Sequence, residues 1–208
     1  MILSRETDYY NNRMMMPVSL LRQTISPKKI LMATEPGAVH ALNKAIDSVD
    51  LSDYDYVFRT SGDIGLPRNW IEANLQASHG ADVIGSHGDA MLVRVSVLQA
   101  LGGHFFDNAA EDSYFVQIAR LHGASYSKEK VKHWNLRKMG ATWTGRRFLE
   151  AGIASWQLGI GPIHMIWNCL WATVVHRNFR FLAKIPCYFW AALSHYDKWP
   201  TVKVIRFV

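Results

Sequence analysis

Cysteine is scarce in this chain, which has only Cys169 and Cys187 among its 208 residues. Two cysteines exclude a framework of several disulfides and a four-cysteine zinc site. The composition, 49% hydrophobic and 19% charged, excludes a disordered chain and a polytopic membrane protein. We therefore expect a folded protein of a reducing compartment, made of one domain and an appendage.

Charge of either sign is absent from residues 151–175. The stretch is long enough to cross a bilayer, which takes ~20 predominantly apolar residues, although scattered polar residues interrupt it. Its apolar residues at helical spacing are Ile163, Ile166, Trp167, Leu170, Trp171 and Val174. The cations that follow, among aromatic residues, are Arg177, Arg180 and Lys184. This pattern favours amphipathic helices in the headgroup plane; helices packed on a core and a true span stay open as alternatives.

Acidic residues are also few after residue 127. Residues 1–127 hold ten Lys and Arg against fourteen Asp and Glu, a net charge of −4, whereas residues 128–208 hold thirteen against three, a net charge of +10. A basic half points to phosphate groups, in nucleic acid, a nucleotide or anionic lipid. No nucleic-acid motif is recognisable, and tryptophans interleave with the cations. We therefore expect no nucleic-acid partner.

Strand and helix patterns alternate through the first two thirds of the chain, which predicts an α/β layer architecture. The predicted strands are residues 1–3, 30–33, 54–58, 81–84, 90–95 and 124–126. The predicted helices are residues 37–49, 69–79, 96–101 and 113–121.

Two acidic motifs stand beside these elements. Asp63 follows the strand at 54–58, and a carboxylate at the carboxyl end of a central strand faces the ligand crevice of open α/β sheets. Glu111 and Asp112 open the helix that follows the glycine pair at 102–103. Each motif also has an ordinary interpretation, because Asp63 suits a turn and an acidic pair caps a helix N-terminus.

The order of these motifs resembles the family 2 glycosyltransferases, over roughly residues 30–135. The matching segments are EPG at 35–37, ALNKAI at 41–46, SGD at 61–63 with LP at 66–67, ADV at 81–83, GGHF at 102–105 and ED at 111–112. The resemblance implies an inverting enzyme with the GT-A fold, a Rossmann-like three-layer sheet that binds nucleotide sugars. The family's first strand-helix unit has no counterpart, so we expect an N-terminally truncated GT-A domain at 1–147 and membrane-associating amphipathic helices at 148–208.

The resemblance also assigns donor and metal contacts. Asp63 matches the family's metal-binding acid, and His133 stands where many relatives complete the site, although a lone histidine is more often a packed residue. The expected cofactor is a divalent cation, Mg or Mn. Ser61 replaces the acid that approaches the ribose, and it offers a hydroxyl without charge. Asn43 in the upstream helix and Arg137 in a basic, glycine-containing stretch complete the expected donor contacts.

Asp112 corresponds to the family's general base, with Glu111 orienting it or the acceptor. The Gln-x-x-Arg-Trp motif of processive relatives is absent, which favours transfer of a single sugar. The expected partners are a nucleotide-diphosphate sugar, a lipid-linked or glycan acceptor and an anionic membrane surface. We expect a peripheral or monotopic protein on the cytoplasmic face of a membrane. The alternative is a catalytically inactive GT-A remnant that acts as a binding or scaffold module.

Overall fold

The computed structural model describes residues 2–5, 15–33, 38–61, 64–85, 90–107, 111–135 and 145–198. The chain divides into two compact units, one of residues 1–107 and 111–137 and the other of residues 108–110 and 138–208. The predicted division at residue 147, with the function assigned to each part, stays a prediction.

Strands and five α-helices alternate in the described part of the first unit, and a short 3-10 helix (Leu51–Asp53) precedes the third strand. The strands are β1 (Ile2–Arg5), β2 (Ile30–Ala33), β3 (Tyr56–Thr60), β4 (Ile64–Gly65), β5 (Val83–Ile84), β6 (Ala90–Arg94), β7 (Tyr126–Ser127) and β8 (Trp134–Asn135). The helices are α1 (Met15–Leu21), α2 (Ala38–Asp47), α3 (Trp70–Ala77), α4 (Val95–Ala100) and α5 (Glu111–Leu121). The alternation confirms the predicted mixed α/β class.

Six strands form one mixed sheet in the order β2-β1-β3-β6-β5-β7. β1 runs parallel to β2 and β3, whereas β6 runs antiparallel to both β3 and β5. A separate two-stranded sheet pairs β4 with β8, with Gly65 opposite Trp134. β3 therefore lies inside the large sheet and leads, through residues 61–63, directly into the small one.

The first unit has helices on both faces of the large sheet. Neighbouring residues of β3 therefore belong to different buried clusters. Val57 belongs to a buried cluster that contains residues of α2, α4 and α5. Its neighbour Phe58 belongs to a second cluster that contains residues of α1 and α3, and its ring lies 5.0 Å from that of Trp70. Successive strand side chains point to opposite faces, so β3 supplies both cores of a three-layer structure.

The second unit is helical where it is described, with α6 (Gly145–Gln157), α7 (Pro162–His176), a 3-10 helix (Phe179–Ala183) and α8 (Lys184–Leu193). α6 packs closely on α8 at Gly152, where a Cβ would overlap the backbone carbonyl of Lys184. Tyr188 of α8 donates a hydrogen bond to the Ile160 carbonyl at 2.5 Å. Among the described helices, none has the length and apolar character needed to cross a membrane.

Candidate active site

The candidate site begins where β3 ends. Thr60, the last residue of the strand, is buried, and Ser61 is half-buried directly after it. Gly62 and Asp63 lie outside the described residues, as does Arg137. The predicted metal contact of Asp63 and the predicted donor contacts of Ser61, Asp63 and Arg137 therefore stay predictions.

A buried ion pair joins β3 to the start of α5. Arg59 of β3 and Glu111 of α5 are 5% and 6% exposed, and the guanidinium Nη2 donates to Glu111 Oε1. The Arg59 guanidinium also lies 5.3 Å from the centroid of the Phe105 ring. Removing one partner of such a pair leaves an uncompensated buried charge, which costs about 3–5 kcal/mol. The pair therefore fixes the first turn of α5 beside the end of β3.

Arg59 is not among the predicted site residues. It lies in a run of apolar and aromatic residues that forms a buried strand, and its partner is 52 positions away. A usable sequence clue existed, because Arg is almost never fully buried unless it is paired. An arginine inside a strand that enters both cores thus requires an acid elsewhere in the chain, although the sequence does not say which one.

Asp112 follows Glu111 in the first turn of α5 and is half-buried. Its Oδ1 accepts the backbone N–H of Ser113 at 2.8 Å. An acid at this position also interacts favourably with the positive end of the helix dipole. The described contact therefore satisfies a backbone N–H in the first turn of the helix, and the predicted role of general base stays a prediction. What the structure adds is the anchoring of its neighbour, Glu111, to β3.

Asn43 connects α2 to the turn before α5 through two hydrogen bonds. Its Nδ2 donates to the Phe105 carbonyl at 2.9 Å, and its Oδ1 accepts the Phe105 N–H at 2.9 Å. The Phe105 ring in turn lies 5.0 Å from that of Phe115 on α5. Asn43, Phe105, Arg59 and Glu111 thus form a connected support for the start of α5. The predicted donor contact of Asn43 stays a prediction.

His133 lies just before β8, in a pair with Glu129. Its Nδ1 is 2.9 Å from Glu129 Oε2, and both side chains are 10% exposed. Burial raises the pKa of Glu129, but the hydrogen bond from His133 and the charges of His133 and Lys132 outweigh it and hold this pKa below its usual range. A carboxylate that holds one imidazole nitrogen orients the ring, as it does for metal-binding histidines.

His133 and Glu129 suit part of a cation site. Within the described ranges, no group of three or more His, Cys, Asp or Glu side chains converges. β8 follows His133 directly and pairs antiparallel with β4, with Ile64 opposite Asn135 and Gly65 opposite Trp134. Asp63 lies outside the described residues, so its convergence with His133 on one cation stays a prediction. An imidazole that a carboxylate orients is a group that suits a divalent cation.

A solved structure shares this architecture. The mannosyltransferase PcManGT from Pyrobaculum calidifontis, in complex with GDP-Man and Mn2+, matches over 93% of this chain and 73% of its own, with a TM-score of 0.54 and 12% identity. The fold is of the GT-A type. A second solved structure, S. aureus TarS, matches over 76% of the present chain and 39% of its own, with a TM-score of 0.48 and 13% identity. A third, S. aureus TarS 1–349 in complex with UDP-GlcNAc, matches over 93% of the present chain and 90% of its own, with a TM-score of 0.46 and 10% identity.

The sequence matches no protein-family model and no curated protein. The predicted GT-A fold is thus confirmed by structural similarity to PcManGT, whereas the N-terminal truncation and membership of family 2 stay predictions. In this GT-A fold, the support around Arg59 and Glu111 lies at the carboxyl end of β3, where open α/β sheets bind their ligands.

Proposed function

We propose that this protein transfers a single sugar, with inversion, from a nucleotide-diphosphate sugar to a lipid-linked or glycan acceptor at a membrane surface. The observation that carries the proposal is the buried pair of Arg59 and Glu111. It holds Asp112 near the end of β3 in a GT-A fold similar to that of PcManGT, a mannosyltransferase solved with GDP-Man. Ser61 is two residues beyond Arg59, within about 7 Å along an extended chain.

In this reaction, an acceptor hydroxyl forms a bond to the anomeric carbon as the bond to the nucleotide diphosphate breaks. The diphosphate leaves with the electron pair of the broken bond, and the hydroxyl proton passes to a carboxylate of Asp112. Glu111 is paired with Arg59, and Asp112 beside it is the carboxylate proposed to take up the proton. Inversion follows because the hydroxyl attacks from the face opposite the departing group.

A divalent cation, Mg or Mn, is proposed as cofactor, with Asp63 and His133 as its ligands. PcManGT is solved with Mn2+, and the orientation of His133 by Glu129 supports the assignment. Such an ion supplies neutralisation of the charge that develops on the departing diphosphate. Ser61 and Arg137 are proposed to contact the nucleotide through a hydroxyl and a positive charge. Asn43 is proposed to contact the same nucleotide-sugar donor.

The decisive experiment measures donor use by the full chain. Purified protein is mixed with a panel of nucleotide sugars and Mg or Mn, and release of nucleoside diphosphate and donor affinity by calorimetry are recorded. We expect at least one nucleotide sugar to bind and to be turned over, slowly by water and faster with a polyprenyl-phosphate or glycan acceptor.

Binding of a nucleotide sugar without any turnover would instead support the inactive remnant, a binding or scaffold module. The uncharged Ser61 in place of an acid favours that second candidate. Absence of donor binding across the panel would contradict both forms of the proposal.

The protein is proposed to work as a peripheral or monotopic protein on the cytoplasmic face of a membrane. The support is the second unit, in which large apolar side chains are exposed beside cations. Most of these exposed apolar side chains lie on α7.

A further inference from the structure

One face of α7 exposes large apolar side chains. The exposed fractions are 84% for Ile163, 63% for Trp167, 47% for Leu170, 61% for Trp171 and 71% for Val174. Residues three and four positions apart lie on the same side of a helix, so these five side chains form a continuous stripe, here called the α7 face. Contiguous exposed apolar surface of this kind marks an interaction site rather than ordinary surface.

The opposite side of α7 is packed, so the exposure does not come from an unsupported helix. Met165 and Cys169 are each 2% exposed and form a buried cluster with Tyr188 of α8. Burial raises the pKa of the Cys169 thiol accordingly. α7 therefore has two apolar sides, of which one fills the interior of the second unit and the other faces outward.

The charges around the α7 face have one sign at its carboxyl end. α7 itself contains no Asp, Glu, Lys or Arg. Arg177 ends the helix in a left-handed conformation with φ of 50°, and Arg177 and Arg180 are both exposed. The acids between residues 145 and 198 are Glu150 and Asp197. A partner for this surface thus combines apolar material with negative charge.

Lys184 does not share this role, although the sequence pattern groups it with the two arginines. Its Nζ lies 5.1 Å from the centroid of the Phe181 ring, and burial lowers the pKa of Lys184. It belongs to the interior of the second unit. Of the three cations that follow α7 directly in the chain, Arg177 and Arg180 are therefore the exposed ones.

Two kinds of partner are apolar and large enough to cover such a stripe: a lipid bilayer and another protein surface. A second copy would offer the two arginines another α7 face, and α7 contains no Asp or Glu to pair with them. An anionic bilayer instead pairs these cations with headgroup phosphates and accepts tryptophan rings at its interface. The charge and the residue types both favour the bilayer.

We infer that the α7 face is the surface through which this protein docks on an anionic lipid bilayer. α7 lies in the headgroup plane, its packed side towards α8 and its outer side in the acyl boundary, with Arg177 and Arg180 on lipid phosphates. The inference rests on the proposed function, which requires a membrane surface. It adds the kind of membrane and the residues that contact it.

The test uses the full chain and vesicles of phosphatidylcholine with or without 30% phosphatidylglycerol. We expect co-sedimentation with the anionic vesicles, weaker binding to the neutral ones, and partial release by high salt, because apolar insertion survives screening. The double variant Trp167→Ser/Trp171→Ser should lower the vesicle partition coefficient at least tenfold. The variants Arg177→Gln and Arg180→Gln should each lower it about fivefold, on anionic vesicles only.

Matched controls use exposed side chains of the first unit. Leu21 is 68% exposed and Arg68 is exposed, so Leu21→Ser and Arg68→Gln remove the same kinds of group elsewhere and should leave partitioning unchanged. Circular dichroism of every variant checks that α7 is still folded. Vesicle binding needs no donor sugar, so its result is distinct from success or failure of the proposed transfer reaction.

Two outcomes would overturn the inference. One is a full-length protein that stays in the supernatant with anionic vesicles at low salt, or that binds them equally after the tryptophan substitutions. The other is a dimer in light scattering that Trp167→Ser/Trp171→Ser converts to monomer, since a second copy would then cover the α7 face.

Discussion

Arg59 and Glu111 form an ion pair that is buried on both sides, and it connects the central strand β3 to the first turn of α5. In the described part of the chain, Arg59 Nη1 is buried without a hydrogen-bond partner. The guanidinium is therefore not fully satisfied, which makes the pair a costly arrangement in terms of stability. The pair therefore contributes more to the position of the first turn of α5 than to the stability of the fold.

The first prediction concerns this pair. Arg59→Met and Glu111→Gln should each destabilise the protein by about 3–5 kcal/mol in urea unfolding, because each leaves a buried polar or charged group without its partner. The double variant Arg59→Met/Glu111→Leu should recover much of that loss and still transfer sugar poorly, since nothing then fixes the start of α5. Arg94→Met, in a partly exposed pair with Asp82, should cost less. A double variant with normal transfer would exclude the positioning role.

The second prediction concerns the base. Asp112→Asn should lower the transfer rate by about 10²–10⁴-fold and leave donor affinity unchanged, because the amide keeps the size of the side chain and loses its proton affinity. Asp107→Asn is the matched control, an exposed acid close by in the chain. Transfer within a few fold of the native rate would mean that Asp112 acts only as a helix cap.

The third prediction concerns the metal. EDTA and Asp63→Ala should each abolish donor binding in calorimetry, while His133→Ala weakens the affinity for Mn2+ about 10–100-fold, as loss of a ligand or its supporting partner does. His122→Ala, an exposed histidine, serves as the control. Donor binding that persists in EDTA would remove the cation from the proposed mechanism.

The fourth prediction concerns acid stability. Asp82 accepts hydrogen bonds from the Ser125 hydroxyl and N–H at 2.7 and 2.8 Å and from Arg94 Nε at 2.8 Å. The bonds from Ser125, and then the contact with Arg94, lower the pKa of Asp82 below its usual value. Its stabilising effect is therefore complete above about pH 4, the unfolded pKa, and is lost as the pH falls through the folded pKa.

Asp82→Asn should accordingly lower stability by about 1–2 kcal/mol at pH 6 and flatten the loss of stability below about pH 4, where the native carboxylate takes up its proton. Asp55→Asn, at an exposed acid directly before β3, should keep the native profile. Identical urea midpoints for the native protein and Asp82→Asn at every pH would refute the assignment.

The sequence predicts the long elements of the fold well. β3 was expected at 54–58 and lies at Tyr56–Thr60, and α5 was expected at 113–121 and lies at Glu111–Leu121. β3 is a run of β-forming residues, α5 has helical periodicity, and both have local start or stop residues. The stripe on α7 was also expected, although only the structure decides that it is exposed.

The elements that the sequence does not predict depend on distant contacts. β4 and β8 have two residues each, too few for any periodicity, and each exists because the other pairs with it. α1 has seven residues and packs through Leu20 on the cluster around Trp70, with Gln23 donating to the Pro67 carbonyl at 2.8 Å. The Arg59 pair is missed for the same reason, since charge burial is a property of the folded chain.

Gly65 lies directly under the indole ring of Trp134, where a Cβ would overlap the ring. The other side of this ring faces solvent, since Trp134 is 47% exposed. In protein labelled with 5-fluorotryptophan, the 19F resonance of Trp134 would therefore sense both the β4–β8 pairing and a ligand that binds above the ring. The protein has eight tryptophans, and comparison with the variant Trp134→Phe identifies this resonance. The small sheet next to residue 63 thus carries its own spectroscopic probe, which can follow the binding of a nucleotide sugar or a metal ion without any assay of turnover.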